Sequence, residues 1–397
     1  MRPLALRLAA MRGPLAVVAA ISFISSLGIG VMLPLMPLYA ISLGATPIQL
    51  GLMTAAFSVT NTAGQLLAGV YMDRIGSLPF LRFGTAIYAA GNALIATAQD
   101  ALALIAYRGF AGFGAGGNLI GTRVYVAQTA APERMATVNG VLGSAQSAGQ
   151  VIGPAFGGSV VALFDLRAPF VIVAVTSGLA FLALLTLPVP SRPASAPRVG
   201  APTSALNRSV ITLLVANLFL MAGFGGFITT YAPFATQLRS WSMLEVGAIF
   251  SLFGAGSVVL GAPLGHLADR TGRRRVAVFS TIPVFLFGFA MVLDWPRVLL
   301  YAITFIAGAG LAAFNSSWFA LLNDASPEGR KGRTFGFVSA LSNLGMVVGA
   351  LGAAAFWESF GLPVGLLLPS VSALVAGLIL LALPSRVAPP APEPVPA

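Results

Sequence analysis

The chain has no cysteine and a single histidine, His266. Disulfides, thiol nucleophiles and cysteine metal sites are therefore excluded, and one histidine in a charged turn does not make a metal centre. Charge is scarce as well: 8% of the 397 residues are charged, against about 25% in soluble domains. Acids are the scarcer sign, with 11 Asp and Glu against 22 Lys and Arg. All of them, namely Asp73, Asp100, Glu133, Asp165, Glu245, Asp269, Asp294, Asp324, Glu328, Glu358 and Glu393, are expected in loops, at helix ends or in the tail. No mid-membrane carboxylate is expected. The apolar segments also lack a nucleotide-binding glycine loop with lysine, a metal-ligand cluster and a nucleophile–base pair, which disfavours a membrane-embedded enzyme.

What remains is apolar: 57% of residues are hydrophobic and the mean hydropathy is +0.91. Twelve runs approach the roughly 20 residues that cross a bilayer. They fall at about 14–40, 47–72, 78–98, 101–122, 136–163 and 168–188, then 209–236, 243–268, 275–294, 297–322, 334–357 and 362–384. The expected organisation is a six-helix bundle over 1–188, a proline-rich linker over 189–208, a second bundle over 209–385 and a disordered tail over 386–397. The net charge of +11 does not imply nucleic acid, because its distribution points to a lipid bilayer. Arg74, Arg82, Arg123, Arg134, Arg270, Arg273, Arg274, Arg275, Arg330, Lys331 and Arg333 share one set of loops, while Arg167, Arg239 and Arg297 hold the other. By the positive-inside rule both termini are expected in the cytoplasm, with a bacterial plasma membrane as the setting. The arginines before the first run imitate a signal peptide, but that run is too long and is expected to stay as the first helix.

The chain is organised around Gly265-His266-Leu267-Ala268-Asp269-Arg270-Thr271-Gly272-Arg273-Arg274-Arg275, a charged turn between two apolar runs. Gly272 is expected to supply the positive φ of a tight turn, and Asp269 to accept from a helix start. Gly69, Asp73, Arg74 and Gly76 repeat Gly265, Asp269, Arg270 and Gly272 at a constant offset (265 − 69 = 196). Gly112 and Gly114 map to Gly308 and Gly310 at the same offset, and Gly140, Gly149 and Gly153 map to Gly336, Gly345 and Gly349. This is a tandem duplication, the pattern of a pseudo-symmetric bundle around a midplane site.

Three spans carry further signals. Leu27-Gly28 followed by Pro34 and Pro37 predicts a bent first helix, because each proline removes a backbone hydrogen bond. In the fourth span Arg108 precedes a glycine run, Gly109 to Gly116. A charge several residues into a span is costly and is expected to face the bundle interior or water. In the fifth, Gly149, Gly153, Pro154, Gly157 and Gly158 form a small-residue groove for a neighbouring helix, ending in a kink.

These residues resemble the major facilitator superfamily, in particular its twelve-helix drug:proton antiporter branch. The first-helix pattern, Arg108 to Gly116, Gly149 to Gly158 and the two hinge turns each resemble a signature of that branch or superfamily. The resemblance implies an all-α membrane fold of two six-helix bundles, with hinge turns that gate. The gating residues are then Gly69, Asp73, Arg74, Gly76, Gly265, Asp269, Arg270, Gly272, Arg273 and Asp324. The chain departs from the pattern at Ser77 and Leu78, where the family has basic residues. It departs again at Gln128, the repeat mate of Asp324, and at Ala111 in the fourth helix.

The function expected is export of hydrophobic, cationic or neutral small molecules by a monomer, through a cavity between the halves that opens to alternate sides. No cofactor is expected, and a proton gradient is expected to drive the cycle. The coupling residues are then Arg108 with a rim acid such as Glu245 or Asp294. The polar and aromatic residues expected in the cavity are Asn61, Gln146, Asn217, Phe224, Tyr231, Asn315, Trp318 and Asn343, each with helix packing as its competing role. An uncoupled facilitator or importer of a metabolite is the other reading, and the missing buried acid suits it.

Overall fold

A computed structural model of the chain describes residues 13–131, 134–190, 207–326 and 331–383. The expected linker and tail lie outside the described residues, as do the side chains of Asp73 and Arg74 and the surroundings of Gly69. The described chain forms twelve helical spans and no strand. The first six are α1 (Pro14–Ser42), α2 (Pro47–Ile75), α3 (Ser77–Ala96), α4 (Ala101–Thr129), α5 (Met135–Leu163) and α6 (Ala168–Leu185). The second six are α7 (Arg208–Arg239), α8 (Met243–Thr271), α9 (Arg273–Val292), α10 (Arg297–Ala325), α11 (Lys331–Phe360) and α12 (Leu362–Leu380). Eight of them are long and apolar enough to cross a membrane. The other four, α2 to α5, are richer in Gly, Thr, Asn and Gln.

Starts and stops follow from local chemistry. A capping box at Thr46 and Gln49 opens α2, and an equivalent box at Ser242 and Glu245, 196 residues on, opens α8. Each box satisfies two of the donors left unpaired in a helix's first turn. At the other ends of α2 and α8 the chain turns through Gly76 and Gly272, with φ of 89° and 112°. A side chain is strained at either angle, so glycine is required at both. Pro34 and Pro37 both lie inside α1, which continues through them. An interruption the sequence reading did not anticipate falls in α9, which is built of Arg273–Phe279 and Thr281–Val292 meeting at Ser280. Pro283 explains it, because its missing N–H cannot bond the Phe279 carbonyl.

Within each half, helices meet through glycine. A Cβ at Gly149 or Gly153 would stand 2.6 Å from the Phe23 carbonyl oxygen or 2.5 Å from that of Leu27, so α5 lies directly on α1. The repeat mates Gly345 and Gly349 seat α11 on α7 just as closely, against the carbonyls of Leu218 and Ala222. Large apolar side chains point outward instead: Phe83, Leu102, Val258, Val298 and Phe360 are all exposed. Small residues inside and large ones outside suit lipid as the outer solvent.

Two ends of the bundle need names. The hinge face is where α2 passes to α3 and α8 to α9. The far face is where α1 passes to α2 and α7 to α8.

Candidate functional site

The halves touch toward the far face through two pseudo-equivalent contacts. A Cβ at Gly247 of α8 would stand 2.2 Å from the Pro154 carbonyl oxygen of α5, and one at Gly51 of α2 would stand 2.9 Å from that of Ala350 in α11. Both partners keep the 196-residue offset. Gly158 adds to the first contact, since a Cβ there would be 2.4 Å from the Met243 carbonyl. The Ala155 N–H also donates across it to Ser251 Oγ at 3.1 Å. The glycine groove of α5 therefore serves two neighbours: Gly149, Gly153 and Gly157 meet α1, while Gly158 and the Pro154 carbonyl meet α8. Further along, Thr54 and Thr229 share a hydrogen bond between α2 and α7 at 3.4 Å, and Asn343 Nδ2 donates to Thr62 Oγ1 at 3.5 Å. Toward the hinge face no such glycine contact continues among the described residues. Gly140 and Gly143 of α5 have no atom within 4 Å of where a Cβ would lie.

Just inside the far closure is a cavity of about 220 Å³ between the halves. From the first half it is lined by α1 (Met32, Met36), α2 (Met53, Thr54, Phe57), α4 (Arg108) and α5 (Gln150), and from the second by Phe224, Ile228 and Met346. Arg108 is 8% exposed. Its guanidinium lies 4.1 Å from the centre of the Phe57 ring and donates to Met32 Sδ at 3.4 Å.

Phe224, one of the residues expected in the cavity, lines it together with Arg108, which was expected to face the bundle interior or water, and Asn343 bridges the halves beside it. Gln146 is half-buried on the same face of α5, one turn toward the hinge face from Gln150, which holds the lining position. Asn217 is buried in α7 and Asn315 half-buried in α10, away from this lining. Three other expected lining residues do structural work. Asn61 Nδ2 donates to the Gly112 carbonyl at 3.3 Å, and its mate Ser257 donates to the equivalent Gly308 carbonyl at 2.7 Å. Tyr231 is fully buried, with its hydroxyl on the Val246 carbonyl, and Trp318 donates its indole N–H to the Leu213 carbonyl. The methionines, Phe57, Thr54 and Gln150 were missed, because nothing in their local sequence marks the face that a central cavity takes.

The rim acids are held at the far face. Glu245 closes its capping box and pairs with Arg297, while Gln49 closes the equivalent box with no charge. Asp294, at φ 57°, pairs with Arg239 at 3.0 Å. At the hinge face, Arg273 pairs with Asp269 at 2.9 Å and with Asp324 at 2.7 Å. Asp269 was expected to cap a neighbouring helix; its observed partner is the arginine four residues on, across the turn. Arg270 is exposed at the end of α8, and Gly265 approaches only the Ser316 side chain. Asp269, Gly272, Arg273 and Asp324 border an open cleft of about 760 Å³ that also takes in Arg274 and Arg275.

Two repeated six-helix units, sealed against each other at one end beside a cavity that both line, define a membrane transporter of the internal-repeat class. A family model described as the Major Facilitator Superfamily matches residues 18–240 and again 213–397, and the chain belongs to that superfamily. It is 28% identical to the multidrug efflux protein YfmO of Bacillus subtilis over 83% of this chain and 81% of that one. It is 27% identical to the multi-drug resistance efflux pump PmrA of Streptococcus pneumoniae over 86% and 88%. Among solved structures, a mutant of the nucleoside transporter NupG superposes with a TM-score of 0.80 at 15% identity, covering 93% of this chain and 99% of that one.

Proposed function

We propose that the protein exports hydrophobic small molecules from the cytoplasm of a bacterium by alternating access. The observation that carries this reading is the cavity itself, lined mostly by apolar side chains from both halves and sealed only toward the far face. Rocking the halves about the cavity would part Gly247 from Pro154 and Gly51 from Ala350, and bring the hinge-face ends together. The efflux names of the relatives at 27–28% identity support the direction of transport. The arginine-rich hinge face is assigned to the cytoplasm by the positive-inside rule, which places both termini there. The unit of function is a monomer, and no group beyond the chain is required.

Proton coupling belongs to the same proposal, with Arg108 as its central residue and Glu245 or Asp294 as the acid. One observation favours the uncoupled alternative: among the described residues, no carboxylate lines the cavity. Proteoliposomes with and without an imposed pH gradient decide between the two.

The absence of native cysteine makes the cycle directly testable. Ala155→Cys with Ser251→Cys bridges α5 and α8 across the far closure, and crosslinking this pair should abolish export of a lipophilic dye, with recovery on reduction. Undiminished export by the fully crosslinked protein would rule out opening of this face.

A further inference from the structure

Arg108 is the one charged residue in the buried set among the described residues. Other partly buried arginines are neutralised by the protein itself: Arg82 donates to three backbone carbonyls, and Arg239 to two carbonyls and Asp294. Arg108 has no such treatment. Its neighbours are a thioether sulfur and the face of an aromatic ring, and every ion pair among the described residues is formed by another arginine. The buried hydroxyl of Tyr88 lies within electrostatic range of the same guanidinium and is neutral, so it does not compensate the charge. A cation–π contact recovers only part of what desolvating an ion costs. The charge is therefore under-compensated where it meets the cavity.

The rest of the lining is soft. Met32, Met36, Met53 and Met346 offer flexible, polarizable surface that adapts to varied shapes. A planar guanidinium fork in such a lining matches a molecule with an apolar body and a planar anionic head. A cationic ligand would meet repulsion from Arg108, with no carboxylate in the lining to offset it. The volume of about 220 Å³ is below the roughly 300–1,000 Å³ of drug-sized pockets, so the ligand accepted in this state is compact.

We propose that the cavity binds compact lipophilic anions, such as aromatic carboxylates, with the anionic head on Arg108 and the body among the methionines. This rests on the export reading and narrows its substrate class, replacing the cationic or neutral molecules expected from the sequence.

The test is equilibrium binding to the purified full chain of three probes of one shape and different charge: benzoate, benzamide and benzylamine. Benzoate should bind about tenfold or more tightly than benzamide, the size expected of a charge-assisted hydrogen bond, and benzylamine most weakly. Arg108→Gln should erase the preference for benzoate over benzamide. Arg108→Lys should retain part of that preference, because it keeps the charge and loses the fork. Thermal unfolding of both variants shows whether the fold survives, and the ratio of benzoate to benzamide affinity within one folded protein does not depend on its stability. Equal affinities in the parent chain, or a benzoate preference that persists in Arg108→Gln, overturns the proposal. Dye export in proteoliposomes separates the two readings. A chain that exports dye but binds the three probes alike loses the anion site and keeps the efflux reading. One that prefers benzoate through Arg108 but exports nothing keeps the anion site and loses the efflux reading.

Discussion

The two hinges occupy equivalent places and make equivalent contacts with different chemistry. In the second half Arg273 reaches Asp324 at 2.7 Å. The residues 196 positions earlier are Ser77 and Gln128, and they too are joined, by a hydrogen bond from Ser77 Oγ to Gln128 Oε1. The departures from the family pattern at these positions therefore replaced an ionic link with a neutral one and kept the link. The neighbouring arginines make the same point. Arg274 donates to the carbonyls of Leu380 and Leu381 at the end of α12, and Arg82 donates to those of Leu184 and Leu185 at the end of α6. The carbonyls are repeat mates, but the arginines are not: Arg274 corresponds to Leu78, and the first half supplies its cation one helical turn later. Placing a cation at a helix's negative end is worth about 0.3 to 1 kcal/mol at an exposed site. What the duplication preserves is thus the location of each contact, while the residues that make it have diverged.

The comparison can be broken most severely at the shared backbone. Gly76→Ala and Gly272→Ala should each cost about 1 to 2 kcal/mol, because both force a side chain into a left-handed conformation. If the hinges are equivalent, the two losses in thermal unfolding will match; a tolerated Gly76→Ala would show that the first hinge is free to choose another turn. The next largest difference concerns charge. Arg273→Ala leaves Asp269 and Asp324 without their shared cation and should slow dye export about fivefold, equivalent to roughly 1 kcal/mol for such a half-exposed network. Ser77→Ala should change the rate less than about twofold, and equal effects would deny that the ionic hinge carries more. The smallest expected effect sharpens the contrast. Ser77→Arg with Gln128→Asp should give the first hinge a coupling of about 0.5 kcal/mol in a double-mutant cycle. Raising salt from about 0.1 M to 1 M, which shortens the screening length from about 10 Å to 3 Å, should weaken it. A coupling indifferent to salt would mean that the new pair does not form.

The fold was legible because its signals are additive along the chain. Twelve apolar runs, arginine in alternate loops and one repeated offset each draw on many residues along the chain. The hinges were legible through glycine, since positive φ leaves few alternatives at Gly76 and Gly272. The cavity was read less well, for a geometric reason. Gln146 and Gln150 lie one turn apart on the same face of α5, so periodicity ranks them equally, and only depth along the helix puts Gln150 in the lining. Tyr231 and Trp318 carry polar atoms that suggest a site, yet each finds a backbone carbonyl in the core of its own half. The methionines had no signal, because in an apolar span they look like any other packing residue. The α9 break was legible in principle, from Pro283.

The far closure brings one more consequence. Its tightest contacts run from the glycine backbone at Gly247, Gly51 and Gly158 to carbonyl groups. Long side chains lose up to about 2 kcal/mol of rotamer freedom when they are immobilised, and glycine has none to lose. Closing this face therefore orders little side chain, and opening it releases little. The temperature dependence of that step should be set by lipid and water at the parted surfaces rather than by freezing and thawing of the protein's own side chains.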